Sequence, residues 1–543
     1  MASSQTNRWQ RERIVDSLAV LILVAIAIVA VLTFRDYGLG WDDYAHAEMG
    51  DLLLALYASG FHDTRALSFI NLYMYGGGFD MAAAVLHKIL PSDLFETRRL
   101  VGAMVGIIGL AVTWRIGRRI GGSIAGLLAV LFLAICPLYY GHMFINPKDA
   151  PFAVAMTILL LGMARGFEEY PRPSPAAVIL FGTGLGLTIG TRVMGGIAAL
   201  YATAPLMLLL ASDVRACGGR ASLLRCGRFL LSLAPGLVIG YLIMGLLWPW
   251  SVLAPLNPLR ATAYFSHFFE KPWKEMFAGA LVPVPEMPWV YLPSLLGLKL
   301  PEILIVLALG GLGLAAYRIA RPEWPPRLRA VLLLLVSAAL VPLALTMVTR
   351  PALYNGVRHF IFVLPPLALL AGLAGAWLLQ MLSRRGNLAL GTGIAIVLLG
   401  ALSPLVEMIR LHPYQYTHFN RLAGGVRAAD ERYMLDYWGL AFKQAAQELR
   451  AHLTEHLETP TNRRRWKIAV CGPHRPASVE LGPEFETTWD SRGADFALML
   501  GEFYCRELRA PILVEIEREG VIYARAYDIR GRFVSTLLTI PPP

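Results

Sequence analysis

GLGWDDYAHAEMGD, residues 38–51, follows directly on an apolar run from Ile14 to Thr33. Two adjacent carboxylates, Asp42 and Asp43, therefore stand one or two turns from a membrane surface, with Tyr44, His46, Glu48 and Asp51 around them. Acidic side chains cost several kcal/mol inside hydrocarbon, so a cluster at its edge asks for a reason. One reason is a solvated loop at a helix end. The other is chemistry, and it gains weight because the remaining polar clusters fall on the same side of the membrane.

Composition sets the class. The chain has 543 residues, 56% apolar and 16% charged, and a mean hydropathy of +0.53. A soluble fold of this length does not hide so many apolar residues, so the chain reads as a polytopic α-helical membrane protein. The formal charge of +11 sits in short loops between spans, which argues against a nucleic-acid partner. The first span is long and lacks a small-residue cleavage site, so it reads as a retained anchor. Of five cysteines, Cys136, Cys217, Cys226, Cys471 and Cys505, none has metal-ligand spacing. Cys471 and Cys505 share the tail, where a disulfide and two buried thiols are both open.

Apolar runs predict eleven spans, near 14–33, 98–114, 121–139, 150–165, 174–191, 193–211, 229–248, 301–319, 328–348, 360–381 and 388–409. Arginines cluster in alternate short loops, at Arg8, Arg11 and Arg13, at Arg115, Arg118 and Arg119, around Arg215 to Arg228, around Arg318 to Arg329, and at Arg384 and Arg385. The other short loops hold only Lys148, Arg192, Arg350 and Arg358. The arginine-rich set is cytoplasmic by the positive-inside rule. The expected location is a bacterial cell inner membrane, with a cytoplasmic N-terminus and a periplasmic tail. The expected division is a multi-span domain over 1–409 and a small periplasmic α/β domain over 410–543.

Two long outer loops stand out. Within 34–97, the segment Arg65 to Leu90, centred on Gly76-Gly77-Gly78, reads as one or two helices in the membrane interface. The loop 249–300 is rich in Pro and aromatics, including Tyr264, Phe265, His267, Phe268, Phe269, Trp273, Trp289 and Tyr291. Such residues either anchor in headgroups or cover a lipid-linked ligand. In the tail, Asp430 to Leu453 reads as a helix, and Trp466–Cys471, Asp495–Leu500, Pro511–Glu517 and Val521–Tyr527 read as strands.

Three polar clusters face outward in this topology. Tyr139 to Asp149 reads YYGHMFINPKD, where Pro147 and Pro151 break the helix and leave His142, Asn146, Lys148 and Asp149 near freed backbone. Arg192 lies between two Gly-rich spans. Arg358 and His359 follow Tyr354-Asn355-Gly356. Arginine suits bidentate contact with phosphate, although snorkelling to ordinary phospholipids is an equally simple use.

One face thus presents paired carboxylates, a further acid with a Lys and a His, and cations able to hold phosphate. Transfer of a sugar from a lipid phosphate needs these groups. A carboxylate takes the proton of an acceptor hydroxyl, that oxygen attacks the anomeric carbon, and a cationic site steadies the departing phosphate. A single base without a covalent sugar intermediate gives inversion. No cofactor is required, and a divalent metal is compatible. The partners expected are a polyprenyl-phosphate-linked sugar, a lipid, glycan or protein acceptor, and membrane lipids. A flippase of lipid-linked sugars predicts ionisable residues in mid-span and repeat-related broken helices, of which the sequence shows little. A surface-polysaccharide polymerase or ligase is separated less well.

The order of parts also resembles the integral-membrane GT-C glycosyltransferases, in particular bacterial members related to protein O-mannosyltransferases and to the lipid A aminoarabinose transferase. The resemblance rests on WDD (41–43), the helices after it, and an outer tail. More locally, it rests on GHMFINPKDAPF (141–152), MPWVYLP (287–293), YNGVRHFIFVLPP (354–366), HPYQYTHFN (412–420) and DYWG (436–439). It implies that Asp42 or Asp43 is the catalytic base and that Asp149 helps to organise the site. The protein mannosyltransferases have Asp-Glu where this chain has Asp-Asp, so the resemblance leaves the base open. On sequence, Asp43 is favoured slightly because His46 follows it by three residues. The donor phosphate is assigned to Arg358, with His359 or Arg192 assisting. Lys148, His142, Asn146 and Tyr291 complete the expected substrate-binding set.

Overall fold

A computed structural model describes residues 2–266, 273–460 and 465–539. His267, Phe268 and Phe269 of the aromatic loop lie outside the described residues. The first half of the chain forms α1 (Ala2–Thr33), α2 (Asp43–Ala58), α3 (Gly78–His87), α4 (Leu94–Ala134), α5 (Pro137–Ile145), α6 (Asp149–Glu168), α7 (Pro175–Ile189), α8 (Ala198–Cys217) and α9 (Gly219–Leu247). After the short α10 (Trp250–Leu253) and α11 (Asn257–Ser266) comes a hairpin, β1 (Lys274–Phe277) and β2 (Ala280–Pro283). Then follow α12 (Tyr291–Lys299), α13 (Glu302–Ala320), α14 (Pro326–Thr349), α15 (Leu364–Ser383) and α16 (Asn387–Arg410).

Nine helices among the described residues are long and apolar enough to cross a bilayer. This count differs from the eleven expected spans in two places, because one helix holds two of them and another is shorter. The spans 98–114 and 121–139 are limbs of α4, which reverses at Gly122, whose φ of 86° suits only glycine. The limbs touch so closely that a Cβ on Gly126 would meet the Trp114 carbonyl at 2.9 Å. The second limb also stops at Ala134, ahead of Pro137, which opens α5. The span at 174–191 is α7, a shorter apolar helix of 15 residues. It packs between α6 and α9 through Gly162, Gly182, Gly184 and Gly186, where any Cβ would strike facing backbone.

The tail holds α17 (Gly425–Ala429), α18 (Phe442–Glu455), β3 (Trp466–Cys471), α19 (His474–Leu481), β4 (Phe485–Thr488), β5 (Phe496–Leu500), β6 (Ile512–Arg518) and β7 (Val521–Asp528). The sheet order is β4-β3-β5-β7-β6, parallel on one side and antiparallel on the other. All four expected strands are present. Two elements, β4 and α19, escape the sequence because they are short and polar. Cys471 and Cys505 are joined by a disulfide, with Cα atoms 5.9 Å apart.

The expected helix from Asp430 to Leu453 begins only at Phe442. Asp436 prevents an earlier start. Its buried carboxylate accepts from the amides of Gly439, Leu440 and Ala441 at 2.9–3.0 Å, and also from the Tyr416 hydroxyl. Gly439 turns the chain at a φ of +80°. DYWG is thus a turn that aims Tyr437 and Trp438 back at the membrane part.

The tail is clamped to the segment before α2. Tyr37 donates to Gln415 at 3.0 Å, Leu39 N to Glu480 at 3.2 Å, and Lys443 Nζ to the Arg35 carbonyl at 2.6 Å. A Cβ on Gly40 would overlap the Trp438 ring at 2.7 Å. The helices and turns of the tail therefore fix the chain leading into Asp42.

Candidate active site

The acidic stretch is the N-terminus of α2 rather than a loop. Asp43 is its first residue and Asp42 its N-cap position, but the Asp42 side chain makes no capping hydrogen bond. The two carboxylates have opposite surroundings. Asp43 accepts from Arg99 at 2.6 and 2.8 Å and from the Gly40 amide at 2.8 Å, and its side chain is 3% accessible. Asp42 is 40% accessible, and its one ion pair among the described residues is with Arg358, Nη1 to Oδ2 at 3.3 Å. The Asp43 oxygens are thus spent on a buried fork, and Asp42 is the more accessible of the two carboxylates.

Arg98 and Arg99 are consecutive residues near the start of α4 and hold two different acids. Arg98 donates to Asp80 at 2.5 Å, and His46 Nδ1 lies 2.7 Å from the other Asp80 oxygen. All three side chains are buried. His46 is thus committed to Asp80 and does not orient Asp43. None of Arg98, Arg99 and Asp80 stood out in the sequence. The available signal was a pair of arginines at the outward end of an apolar span, against the positive-inside rule.

Two cations, Arg358 and Lys148, act on Asp42, and a third, Arg192, shares the Tyr75 ring with Lys148. Arg358 lies 4.9 Å from the Tyr354 ring centroid and 5.4 Å from that of Trp438. Its buried Nε has no partner among the described residues. Lys148 Nζ sits 4.4 Å from the Tyr75 ring centroid, and the Arg192 guanidinium 5.7 Å from the same ring. Lys148 makes no ion pair among the described residues, whereas Arg192 pairs with Asp149. Burial pushes the Lys148 ammonium down to about 7, against the pull of Asp42. For Asp42 burial acts to raise the carboxyl, but Arg358, Lys148 and His46 together hold it below the ordinary range. Asp42 is therefore ionised at neutral pH.

Tyr75 owes its place to the glycines after it. Gly76 N donates to the Thr191 carbonyl at 3.2 Å, and a Cβ at Gly76 would overlap the Gly190 carbonyl oxygen at 1.4 Å. Only glycine permits that approach. Gly77 N donates to the Leu247 carbonyl at 3.0 Å. The triple glycine thus welds the first outer loop to the turn carrying Arg192, a link that neither motif announces alone.

Several expected site residues are engaged with their neighbours. Asp149 is buried, paired with Arg192 and bonded by Asn146 Nδ2 at 3.1 Å. Asn146 Oδ1 accepts the amides of Lys148 and Asp149 at 3.2 and 2.7 Å. His142 is fully buried, its Nε2 3.1 Å from the Tyr437 hydroxyl, and burial keeps it neutral. It braces the DYWG turn and carries no charge for a phosphate. Tyr291 is also buried and donates to Glu275. Glu275 in turn accepts the amides of Asn355 and Gly356 at 2.5 and 3.2 Å, three and two residues before Arg358. His359 packs edge-on against Tyr354, ring centroids 5.2 Å apart. Among the described residues no three His, Cys, Asp or Glu side chains converge as a metal-ligand set. The acids nearest Asp42 are each tied to an arginine.

The family model for dolichyl-phosphate-mannose-protein mannosyltransferases matches residues 79–235. The structure of ArnT from Cupriavidus metallidurans in the apo state superposes with a TM-score of 0.50 at 16% identity, covering 93% of this chain and 97% of that one. The chain has the GT-C fold. ArnT bound to undecaprenyl phosphate gives a TM-score of 0.48 at 15% identity over the same shares. The oligosaccharyltransferase AglB of Archaeoglobus fulgidus, in complex with an inhibitory peptide and a dolichol-phosphate, gives 0.48 at 12% identity, covering 90% of this chain and 70% of that one. No curated protein sequence matches. In this GT-C chain the matched family segment runs from α3 into α9, and so contains Asp80, Arg98, Arg99, Lys148, Asp149 and Arg192.

Proposed function

We propose that the chain is an inverting glycosyltransferase that moves a sugar from a polyprenyl-phosphate donor to an acceptor hydroxyl at the outer face of the membrane. The observation that carries this reading is Asp42. It is an accessible, ionised carboxylate under the pull of Arg358 and Lys148, and the fold spends its neighbour Asp43 on a buried arginine. The matched family model names a lipid-phosphate-mannose donor, which agrees with a cationic site at the edge of the spans.

In the proposed reaction Asp42 accepts the proton of the acceptor O–H as that oxygen bonds to the anomeric carbon. The bond from that carbon to the phosphate oxygen breaks, and its electron pair leaves with the phosphate. Arg358, Lys148 and Arg192 stabilise the charge that develops there, which is where preorganised cations accelerate a reaction most. Attack from the face opposite the leaving group inverts the anomeric centre. Arg358 also pairs with Asp42 in this state, so donor phosphate and base share one guanidinium.

The topology that suits this chemistry has the N-terminus in the cytoplasm and the tail in the periplasm of an inner membrane. The deciding experiment reconstitutes the purified chain in vesicles with a radiolabelled polyprenyl-phosphate sugar. Asp42→Asn removes basicity and keeps shape, and loss of a positioned base typically costs about 100- to 10,000-fold in rate. Transfer within a few-fold of the parent in Asp42→Asn would sink the mechanism.

A further inference from the structure

A cleft of about 320 Å3 opens beside Trp41, between the first outer loop, the β1–β2 hairpin and the C-terminal sheet. Three indoles, Trp41, Trp273 and Trp489, line it together with Lys274 and Ser535. Trp41 is 42% and Trp489 74% exposed, unusual for the largest apolar side chain. Trp489 is nevertheless held, because one face stacks on His474 with ring centroids 3.3 Å apart, leaving the other free. Trp273 Nε1 is buried and has no acceptor among the described residues. Lys274 and Ser535 make no side-chain hydrogen bond among the described residues either. Two other polar lining groups are already occupied: Asp490 is forked by Arg492, and Ser491 donates to the Val534 carbonyl at 2.6 Å.

We infer that this cleft is the subsite for a saccharide portion of the acceptor, an inference that rests on the transferase reading above. A pyranose has a flat C–H face and a rim of hydroxyls. Flat indole walls with a few unspent donors match it on both counts. An acyl chain would fill the walls but offer the Lys274 ammonium no acceptor, whereas sugar hydroxyls accept from it.

The cleft is joined to the proposed reaction centre at two points. Trp41 immediately precedes Asp42. Trp273 and Lys274 immediately precede Glu275, whose carboxylate holds the Asn355 and Gly356 amides just ahead of Arg358. A glycan seated on the indoles is therefore bound by the same short segments that present the base and the phosphate-binding arginine.

The test uses the full chain in lipid nanodiscs, free of glycoside detergents, titrated calorimetrically with short hexose and N-acetylhexosamine oligomers. At least one series is expected to bind without donor present. Trp489→Ala should weaken it about fivefold or more, and Trp489→Phe should restore most of the affinity. Because Trp489 is so exposed, its truncation leaves the fold standing. Absence of binding by every oligomer, or binding indifferent to Trp489→Ala, overturns the inference. A soluble peptide bound in their place with the same sensitivity also overturns it. Failure of the parent reading looks different: oligomers still bind, but sugar transfer does not depend on Asp42.

Discussion

Arg99 grips Asp43 with two hydrogen bonds of 2.6 and 2.8 Å, and both side chains are shut away from solvent. The same guanidinium donates to the Gly38 carbonyl at 2.6 Å, so one arginine locks the chain on both sides of Asp42. Asp43 acts on Asp42 only by fixing the turn on which it stands.

A structural Asp43 predicts a stability phenotype. Asp43→Asn leaves the Arg99 charge buried and half-paired, and breaking a buried ion pair from one side costs about 3–5 kcal/mol. Thermal unfolding of the purified variant should fall well below the parent, and Asp42→Asn should not. Equal melting of Asp43→Asn and parent would show the pair to be dispensable.

Lys148 predicts a pH dependence. Its ammonium is pushed down to about 7 in the folded chain, from an ordinary value of 10.5. Between those values the unfolded chain holds a proton that the folded chain has released. This group's penalty on stability is therefore full below about 7 and vanishes above the ordinary value. Binding runs the other way, since an anionic phosphate needs the ammonium. Donor affinity should fall as pH rises through about 7, by at most about tenfold per unit. Lys148→Arg should flatten that profile. A donor KM that does not change across this range in the parent would remove Lys148 from the phosphate site.

Much of this arrangement was legible in the sequence. Asp42, Lys148, Arg192 and Arg358 announced themselves as polar residues at the ends of apolar spans, because such placement is costly without a use. The four tail strands were visible from their β-branched and aromatic runs. The choice between Asp42 and Asp43 was not legible, because it depends on Arg99, 56 residues later, reaching one carboxylate and missing the other. The start of α18 was hidden for a related reason. Residues 430–441 carry helix-compatible side chains, and the Asp436 carboxylate outbids the helix by collecting three amides in a turn.

The disulfide between Cys471 and Cys505 ties the end of β3 to the loop after β5 across 34 residues. Closing a loop of this size typically stabilises a domain by about 2–4 kcal/mol. A membrane-impermeant reductant should lower the melting temperature of the parent, and a Cys471→Ser, Cys505→Ser double variant should no longer respond. Since such bonds persist outside the cytoplasm, the bond should be found intact by mass spectrometry in freshly extracted protein. A reporter fused after residue 543 gives the matching check, being active only if exported. A reduced pair together with a cytoplasmic reporter would invert the proposed topology and remove the tail from the acidic face.

Arg358 decides whether the site holds a phosphate. Its guanidinium lies near the Tyr354 and Trp438 rings, with ring centroids at 4.9 and 5.4 Å, and one arm touches Asp42. The rings fix its plane, and the unpartnered Nε leaves a donor for a ligand. A lysine in its place keeps the charge but loses the planar fork and the stacking, so the exchange is not conservative here. Arg358→Lys should raise the donor KM about ten- to a hundredfold, the range for losing a hydrogen bond to a charged group. Its melting temperature should stay near that of the parent, because Asp42 is half-exposed and tolerates losing its partner. Glu275→Gln provides the companion measurement. It weakens the hold on Asn355 and Gly356 without touching phosphate, so it should raise the donor KM by a smaller factor. If Arg358→Ala binds donor as tightly as the parent, Arg358 serves only to steady Asp42, and the leaving phosphate must be held by Lys148 and Arg192 alone.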